Sequence, residues 1–112
     1  MKKINRIKKY QEFREIIDNC NCKKSKNYFI YYRKNDYSYE RYGIMVTKKN
    51  GIAVIRNKIK RQIRSIIDET VDFKKSFDIV ILVSKKYLYT DFKANKDELS
   101  VSLLEIRSEN EK

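Results

Sequence analysis

The chain has 112 residues, which suits one domain, and 41% of them are hydrophobic, enough for a single modest core. Lys and Arg outnumber Asp and Glu by 27 to 15, which gives a formal net charge of +12. The sequence has no histidine, so it excludes Ser-His-Asp triads, Cys-His dyads and imidazole metal ligands. No apolar run reaches the ~20 residues that span a bilayer. The N-terminus also lacks the apolar stretch of a signal peptide, so we expect a cytoplasmic protein.

The positive charge is concentrated in the first part of the chain. Residues 1–67 contain 19 Lys or Arg and only five Asp or Glu, whereas residues 68–112 contain eight and ten. An A/T-rich genome favours lysine codons, but that bias would spread the lysines over both parts. The asymmetry therefore indicates a polyanionic partner. Nucleic acid is the first candidate, because clustered cations release counterions from phosphates, and an anionic membrane surface is the second.

The first predicted element is a helix, since apolar residues recur at three- and four-residue spacings between Ile4 and Ile17. It is expected to end at 18–19, where Asp and Asn disfavour further helix. A short strand within 22–26 is followed by an aromatic and β-branched strand over 27–33. Alternation divides the side chains of this strand between two faces, Tyr28, Ile30 and Tyr32 on one and Phe29 and Tyr31 on the other.

A turn at 34–36 precedes a strand over roughly 39–47, and the two flanking strands are predicted to form a hairpin. A loop then leads into a helix that ends near Thr70. The apolar run 77–83 predicts a strand covered on both faces, and 95–106 a last helix. This order predicts an α/β (α+β) sandwich of two layers in one domain, 1–112. Its ordered core is about 4–106, and a loose tail covers 108–112.

The two cysteines, Cys20 and Cys22, are separated by one residue. A disulfide across that spacing would be strained. Zinc needs four ligands, and the sequence has no second Cys or His pair to supply them. We therefore expect two reduced thiols, and neither a metal site nor a cofactor on the protein.

The segment 56–64 carries the strongest functional signal. Arg56, Lys60 and Arg64 are one helical turn apart, so they share a flank beside a stripe of isoleucines at 55, 59, 63 and 66. No acidic residue within this segment offsets their repulsion, although a helix that is merely solvated would interleave Glu with Lys. The expected nucleic-acid contacts are Arg56, Asn57, Lys58, Lys60, Arg61 and Arg64 on the helix, and Lys48 and Lys49 in the loop before it.

Several stretches of the sequence resemble the protein subunit of bacterial ribonuclease P. They are Ile7-Lys8-Lys9, Glu12-Phe13, Phe29-Ile30-Tyr31-Tyr32, the run from Gly43 to Lys49 and, above all, the run from Ala53 to Arg64. That last run places Arg56-Asn57 and Lys60-Arg61 four residues apart, after the loop Lys48-Lys49-Asn50-Gly51. The resemblance covers roughly 4–106. Lys58 stands where the family usually has Arg, and Ile52 where it commonly has Asn, a good helix-capping residue.

The resemblance implies the order helix, three strands, helix, strand, helix, with a left-handed crossover through the basic helix. It implies an accessory subunit of a ribonucleoprotein endoribonuclease, whose catalytic RNA removes the 5′ leader of precursor tRNA with bound magnesium ions. The protein would bind the leader and stabilise the RNA fold, without a membrane or a protein partner. The implied leader cleft lies between the sheet and the first helix and is lined by Phe13, Ile17, Ile30 and Tyr32.

Three other functions compete with the subunit role. A structural RNA-binding protein of ribosomal type would need nothing more than the charge asymmetry. A protein-only nuclease would need clustered carboxylates for two metal ions, and the sequence has no Asp-x-Asp pair or His partner. Membrane binding by the basic helix would use the isoleucine stripe that is needed to cover the sheet.

Overall fold

The sheet is organised around the most apolar segment of the chain. In the computed structural model, which describes residues 1–19 and 21–109, four strands pair in the order β1-β2-β4-β3. They are β1 (Asn21–Lys24), β2 (Tyr28–Lys34), β3 (Arg41–Val46) and β4 (Phe77–Val83). Strand β4 pairs antiparallel with β2 and parallel with β3. Six of the seven residues of β4 are buried, as expected for a strand covered on both faces.

Three helices cover the sheet: α1 (Tyr10–Asn19), α2 (Ala53–Thr70) and α3 (Phe92–Glu109). Helices α2 and α3 pack on one face and α1 on the other. Short 3-10 turns occur at Lys3–Asn5, Lys48–Asn50 and Lys85–Tyr89. The predicted α+β fold and its order of elements are confirmed, and the left-handed sense of the crossover through α2 stays a prediction.

The register of the strands separates two cores. Tyr32, Ile79 and Tyr42 form one row across the sheet, and Tyr31, Val80 and Gly43 form the next row on the opposite face. The main core joins the first face to the isoleucine stripe of α2 and the apolar face of α3. Its helical members are Ile59, Ile63, Ile66, Ile67, Leu99, Leu103 and Ile106. A smaller core on the second face contains Ile7, Ile16 and Val80.

Two predictions about chain topology are wrong. Strands β2 and β3 do not form a hairpin, because the apolar β4 lies between them and pairs with both. The first helix begins at Tyr10 rather than Ile4, because the preceding segment runs extended beside β3. There the Ile7 amide donates to the Tyr42 carbonyl at 3.0 Å, and Arg6 forms a parallel bridge with Tyr42.

The predicted short strand is present, whereas the predicted C-terminal tail begins within a helix. The short strand expected within 22–26 is confirmed as β1. Helix α3 continues through Ser108, so the loose tail expected from that residue does not begin there, and 110–112 lie outside the described residues. Cys20 also lies outside them, and Cys22 is an exposed free thiol. None of the helices described here is long and apolar enough to span a membrane.

A buried carboxylate holds α1 onto the sheet. Asp78 of β4 is 1% exposed and accepts hydrogen bonds from Arg41 Nε and Nη2 at 2.9 and 2.8 Å and from Arg33 Nε at 3.2 Å. The same arginines reach α1, since Arg41 pairs with Glu12 and Arg33 with Glu15, each at 2.8 Å. Burial alone would raise the pKa of Asp78, but the hydrogen bonds from arginine and asparagine outweigh it and lower the pKa.

We predict that Asp78→Asn lowers the free energy of unfolding by about 3 kcal/mol at neutral pH, because it leaves two guanidinium groups without their buried counter-charge. The lowered pKa means that the ionised form stabilises the fold above the ordinary value of 3.8 and that this contribution is lost as the pH falls further. Urea unfolding at several pH values should therefore show the gap between the two proteins closing in acid. Asp97→Asn, at an exposed site on α3, is the control, and equal stability of Asp78→Asn and wild type at neutral pH would refute the role.

Candidate nucleic-acid interface

The cations of α2 point away from the core. Burial of the isoleucine stripe places Arg56, Lys60 and Arg64 on one half-buried flank, and Asn57, Lys58 and Arg61 are exposed. Among the described residues, no carboxylate lies within salt-bridge distance of the lysines and arginines of this helix. The arginines that support the fold behave differently, because Arg33, Arg41 and Arg107 are all paired with carboxylates. The α2 cations are therefore left for an external anion.

Two arginine nitrogens lack any acceptor. The Nε atoms of Arg6 and Arg56 are shielded from solvent, and no hydrogen-bond partner for them occurs in the described part of the chain. An unsatisfied buried donor costs roughly 1–3 kcal/mol. A phosphate oxygen is the kind of acceptor that a guanidinium group binds most readily.

A groove separates α1 from α2 along the outer edge of β3. Two adjoining hollows of about 350 and 250 Å³ form it, and both are lined by Lys8, Phe13, Ile44 and Lys60. The first hollow also includes Tyr10 and Met45, and the second includes Met1, Arg6, Tyr42 and Arg64. This α1–α2 groove therefore has an apolar and aromatic floor with cations on both walls. None of the described residues that line it is acidic.

The floor of the groove depends on Gly43. A Cβ atom at this position would lie 2.3 Å from Cε1 and 2.8 Å from Cζ of Phe13. Because glycine has no Cβ, the Phe13 ring can lie directly on the backbone of β3. This contact, together with the Asp78 network, sets the distance between α1 and the sheet.

The turn that carries Lys48 and Lys49 is anchored by a buried asparagine. Asn50 Nδ2 donates to the Ser84 carbonyl at 3.1 Å, so the turn is tied to the end of β4 while both lysines stay exposed. Gly51 follows with φ = 113°, a conformation that favours glycine. Ile52 is the N-cap residue of α2 and makes no side-chain capping bond, so the departure from Asn noted in the sequence falls on a true cap position.

The four residues predicted to line the leader cleft do not lie on one face of the sheet. Phe13 and Ile17 lie on α1 and pack in the smaller core toward the sheet. Ile30 and Tyr32 cannot line a cleft beneath α1, since Ile30 is fully buried in the main core and Tyr32 packs against that same core. Tyr31 and Met45 take the place beside α1. Alternation correctly separated the two faces of β2, and the error was to assign the wrong face to α1.

Sequence reasoning missed Arg6, Lys8 and Tyr10 as groove residues. They belong to a segment that was interpreted as one continuous helix, in which their side chains would have had a different arrangement. The available signal was the cationic run Lys8-Lys9 directly before Phe13, which was used only for the family resemblance. In the part of the chain that the structure describes, no cluster of Cys, Asp or Glu could hold a metal ion.

Comparisons with known proteins agree with one another. A family model described as Ribonuclease P matches residues 1–107. The ribonuclease P protein component of Mesoplasma florum is 45% identical over 102 residues, which cover 89% of this chain and 93% of that protein. The component of Mycoplasma mycoides subsp. mycoides SC is 44% identical over 111 residues, with coverages of 97% and 98%.

Solved structures with the same fold were also found. The RNase P protein of Staphylococcus aureus matches with a TM-score of 0.84 and 28% identity, over 92% of this chain and 95% of that chain. The RNase P protein of Thermotoga maritima matches with a TM-score of 0.75 and 30% identity, over 88% and 94%.

We predict that Gly43→Ala lowers the free energy of unfolding by about 1–3 kcal/mol, because the new methyl group overlaps the Phe13 ring. If the overlap is the cause, adding Phe13→Leu to Gly43→Ala should recover part of the loss, whereas independent effects would simply add. Denaturant unfolding of the two single variants and the double variant measures this coupling. Strict additivity would show that the ring does not rest on Gly43.

Proposed function

Since this chain belongs to the ribonuclease P protein family, as an RNA-binding subunit in tRNA 5′ processing, we propose that it binds both a catalytic RNA and precursor tRNA. One observation carries the proposal: apart from the Met1 ammonium, which pairs with Asp68 at 2.8 Å, the cations that line the α1–α2 groove have no carboxylate partners among the described residues. Such an arrangement costs stability in the free protein, because like charges one turn apart repel. Phosphates would relieve that repulsion.

The contacts divide between two surfaces. The proposed contacts to RNA backbone are Arg56, Asn57, Lys58, Lys60, Arg61 and Arg64, reinforced by Lys48 and Lys49. Cations spaced along α2 over eight residues extend ~12 Å, enough to meet two or three successive phosphates. Arg6 and Lys8 on the opposite wall of the α1–α2 groove add to this set.

The 5′ leader of precursor tRNA is the proposed occupant of the α1–α2 groove. The groove offers an aromatic ring, Phe13, beside the cations Lys8 and Lys60. Unpaired nucleotides are bound by this combination of stacking surface and positive charge. Ile17 contributes to the apolar packing behind Phe13, whereas Ile30 and Tyr32 have no part in it because they face the other core.

The hydrolysis itself is proposed to take place on the catalytic RNA, with magnesium ions bound there. Among the described residues that line the groove there is no carboxylate, and the sequence has no histidine, so the two commonest general bases are missing there. The protein's own contribution is to bind, orient and neutralise charge. A ribosomal-type RNA-binding role without cleavage is not favoured by the family relationship.

Reconstitution tests this function. Adding the chain to its cognate catalytic RNA at low magnesium should raise the rate of precursor-tRNA cleavage, because protein cations replace part of the charge neutralisation that magnesium supplies. The chain alone should leave precursor tRNA intact. A rate that does not change on addition would contradict the subunit role.

Arg61→Ala tests the α2 contacts. We predict weaker binding to the catalytic RNA and a salt slope, d log K/d log[salt], that is smaller by roughly one, because about one phosphate contact is lost. Lys74→Ala, an exposed cation in the turn before β4, should leave the slope unchanged. Filter binding over a range of KCl concentrations measures both. The same slope for Arg61→Ala and wild type would place this side chain away from the RNA.

Phe13→Leu tests leader binding, since leucine keeps the apolar bulk but removes the stacking ring. We expect the affinity for precursor tRNA to fall by about 1–2 kcal/mol, with little change for mature tRNA. Tyr32→Leu, on the opposite face of the sheet, is the matched control and should change the affinity for neither precursor nor mature tRNA. Equal losses for precursor and mature tRNA would show that Phe13 does not touch the leader.

A further inference from the structure

Helix α2 has a second flank, which the α1–α2 groove does not use. On this side it faces the 3-10 turn Lys85–Tyr89 and the first turn of α3 across a hollow of about 300 Å³. The residues that line this α2–α3 groove include Ile55, Lys58, Gln62, Leu88, Thr90 and Phe92. A second hollow, of about 370 Å³, continues it outward between Phe92 and Arg61.

Exposed apolar side chains are concentrated around this groove. The described chain has eleven exposed large apolar residues, and six of them lie in the two short segments 52–55 and 88–92. Three line the groove itself: Ile55 is 38% exposed, and Leu88 and Phe92 are each 43% exposed. A clustered apolar surface with a polar rim is typical of a binding site rather than of a solvated face.

The fold does not need apolar side chains at positions 55 and 92. The buried stripe of α2 begins at Ile59, one turn after Ile55. Helix α3 is already capped by Asp91, whose Oδ1 accepts from the Ala94 amide at 2.9 Å, so its start needs no aromatic residue at position 92.

The groove also carries a fixed amide. The hydroxyl of buried Tyr87 donates to Oε1 of Gln62 at 2.7 Å, which sets the orientation of the Gln62 side chain. Among the described residues, nothing accepts from its Nε2 atom. A donor held in place beside an apolar surface suits the edge of a nucleobase.

Charge decides between the possible occupants. Lys58 and Arg61 are the charged residues among those described that line the two hollows, and no described carboxylate lines either hollow. Asp91, the nearest acidic residue in sequence, is engaged in capping α3. A second copy of this chain would bring another formal charge of +12 against the same rim, whereas RNA supplies both the flat apolar base and the phosphate that the rim needs.

We propose that the α2–α3 groove binds an unpaired nucleotide of the catalytic RNA, with its base stacked on Phe92 and its phosphate near Lys58 and Arg61. The assignment of this nucleotide to the catalytic RNA rests on the proposed function. The stacking of an unpaired base on Phe92 is argued from the groove alone. Helix α2 then lies between two single-stranded contacts, the leader on one flank and this nucleotide on the other.

Two substitutions of Phe92 and one of Leu88, which lines the same groove, test the proposal. Phe92→Leu keeps an apolar side chain but no ring, so binding to single-stranded oligoadenylate and to the catalytic RNA should weaken by about 5- to 100-fold. The salt slope should not change, because stacking releases no counterions. Phe92→Tyr should bind like wild type, and Leu88→Ser should weaken binding several-fold. Leu104→Ala, an exposed apolar site elsewhere on α3, is the control, and thermal unfolding checks that each variant is folded.

Two results would overturn the inference. One is wild-type affinity of Phe92→Leu and Leu88→Ser for both RNAs. The other is a wild-type dimer in sedimentation velocity that Phe92→Ala converts to a monomer without loss of RNA affinity, which would make the groove an interface between copies. The cleavage assay separates this proposal from the proposed function. If wild type stimulates cleavage and Phe92→Leu changes neither stimulation nor RNA affinity, the groove proposal fails and the subunit role stands. If Phe92→Leu lowers oligoadenylate affinity but wild type gives no stimulation, the subunit role fails together with the assignment to the catalytic RNA, whereas base stacking in the groove stands.

Discussion

Burial of one face of α2 decides where the cations of that helix lie. Because β3 and β4 are parallel neighbours, the chain must cross the sheet between them, and α2 is the crossing segment. Its isoleucines at 59, 63, 66 and 67 fill the main core. Rotating the helix to hide its cations would bury unpaired charges, at a cost of several kcal/mol per ion. The basic face is thus held outward by the same packing that closes the core.

The position of α1 gives that basic face its groove. Asp78 binds Arg33 and Arg41 near one end of the central strand β4, and both arginines extend to carboxylates of α1. Gly43 lets the Phe13 ring lie on β3. Together these contacts hold α1 at a fixed distance from α2 on the two sides of one edge strand. The arginines that build the scaffold are paired, and those left over line the surface, so a division between structural and binding cations is visible in their partners.

Periodicity in the sequence predicted those elements whose local pattern alone determines their secondary structure. The apolar run of β4, the last helix and most of the isoleucine stripe of α2 appear as expected, but Ile55, the first residue of that stripe, is 38% exposed. The first helix was extended too far because Ile7 is apolar at helical spacing, yet it is buried in an extended segment that pairs with Tyr42. Alternation along β2 separated its two faces but contained no information on which helix covers which face. Ile30 and Tyr32 were therefore assigned to the wrong side, and the contact of Phe13 with Gly43 joins residues too distant in sequence to be predicted.

The central claim is that the outward face of α2 lies against RNA, and hydroxyl-radical cleavage from a tethered iron chelate measures this directly. With Cys20 and Cys22 changed to serine, the chelate is attached through Asn57→Cys on the exposed face of α2, or through Lys74→Cys as the reference site. The account predicts strong, localised cleavage of the catalytic RNA from position 57 and background cleavage from position 74. Cleavage from position 74 with none from position 57 would contradict it.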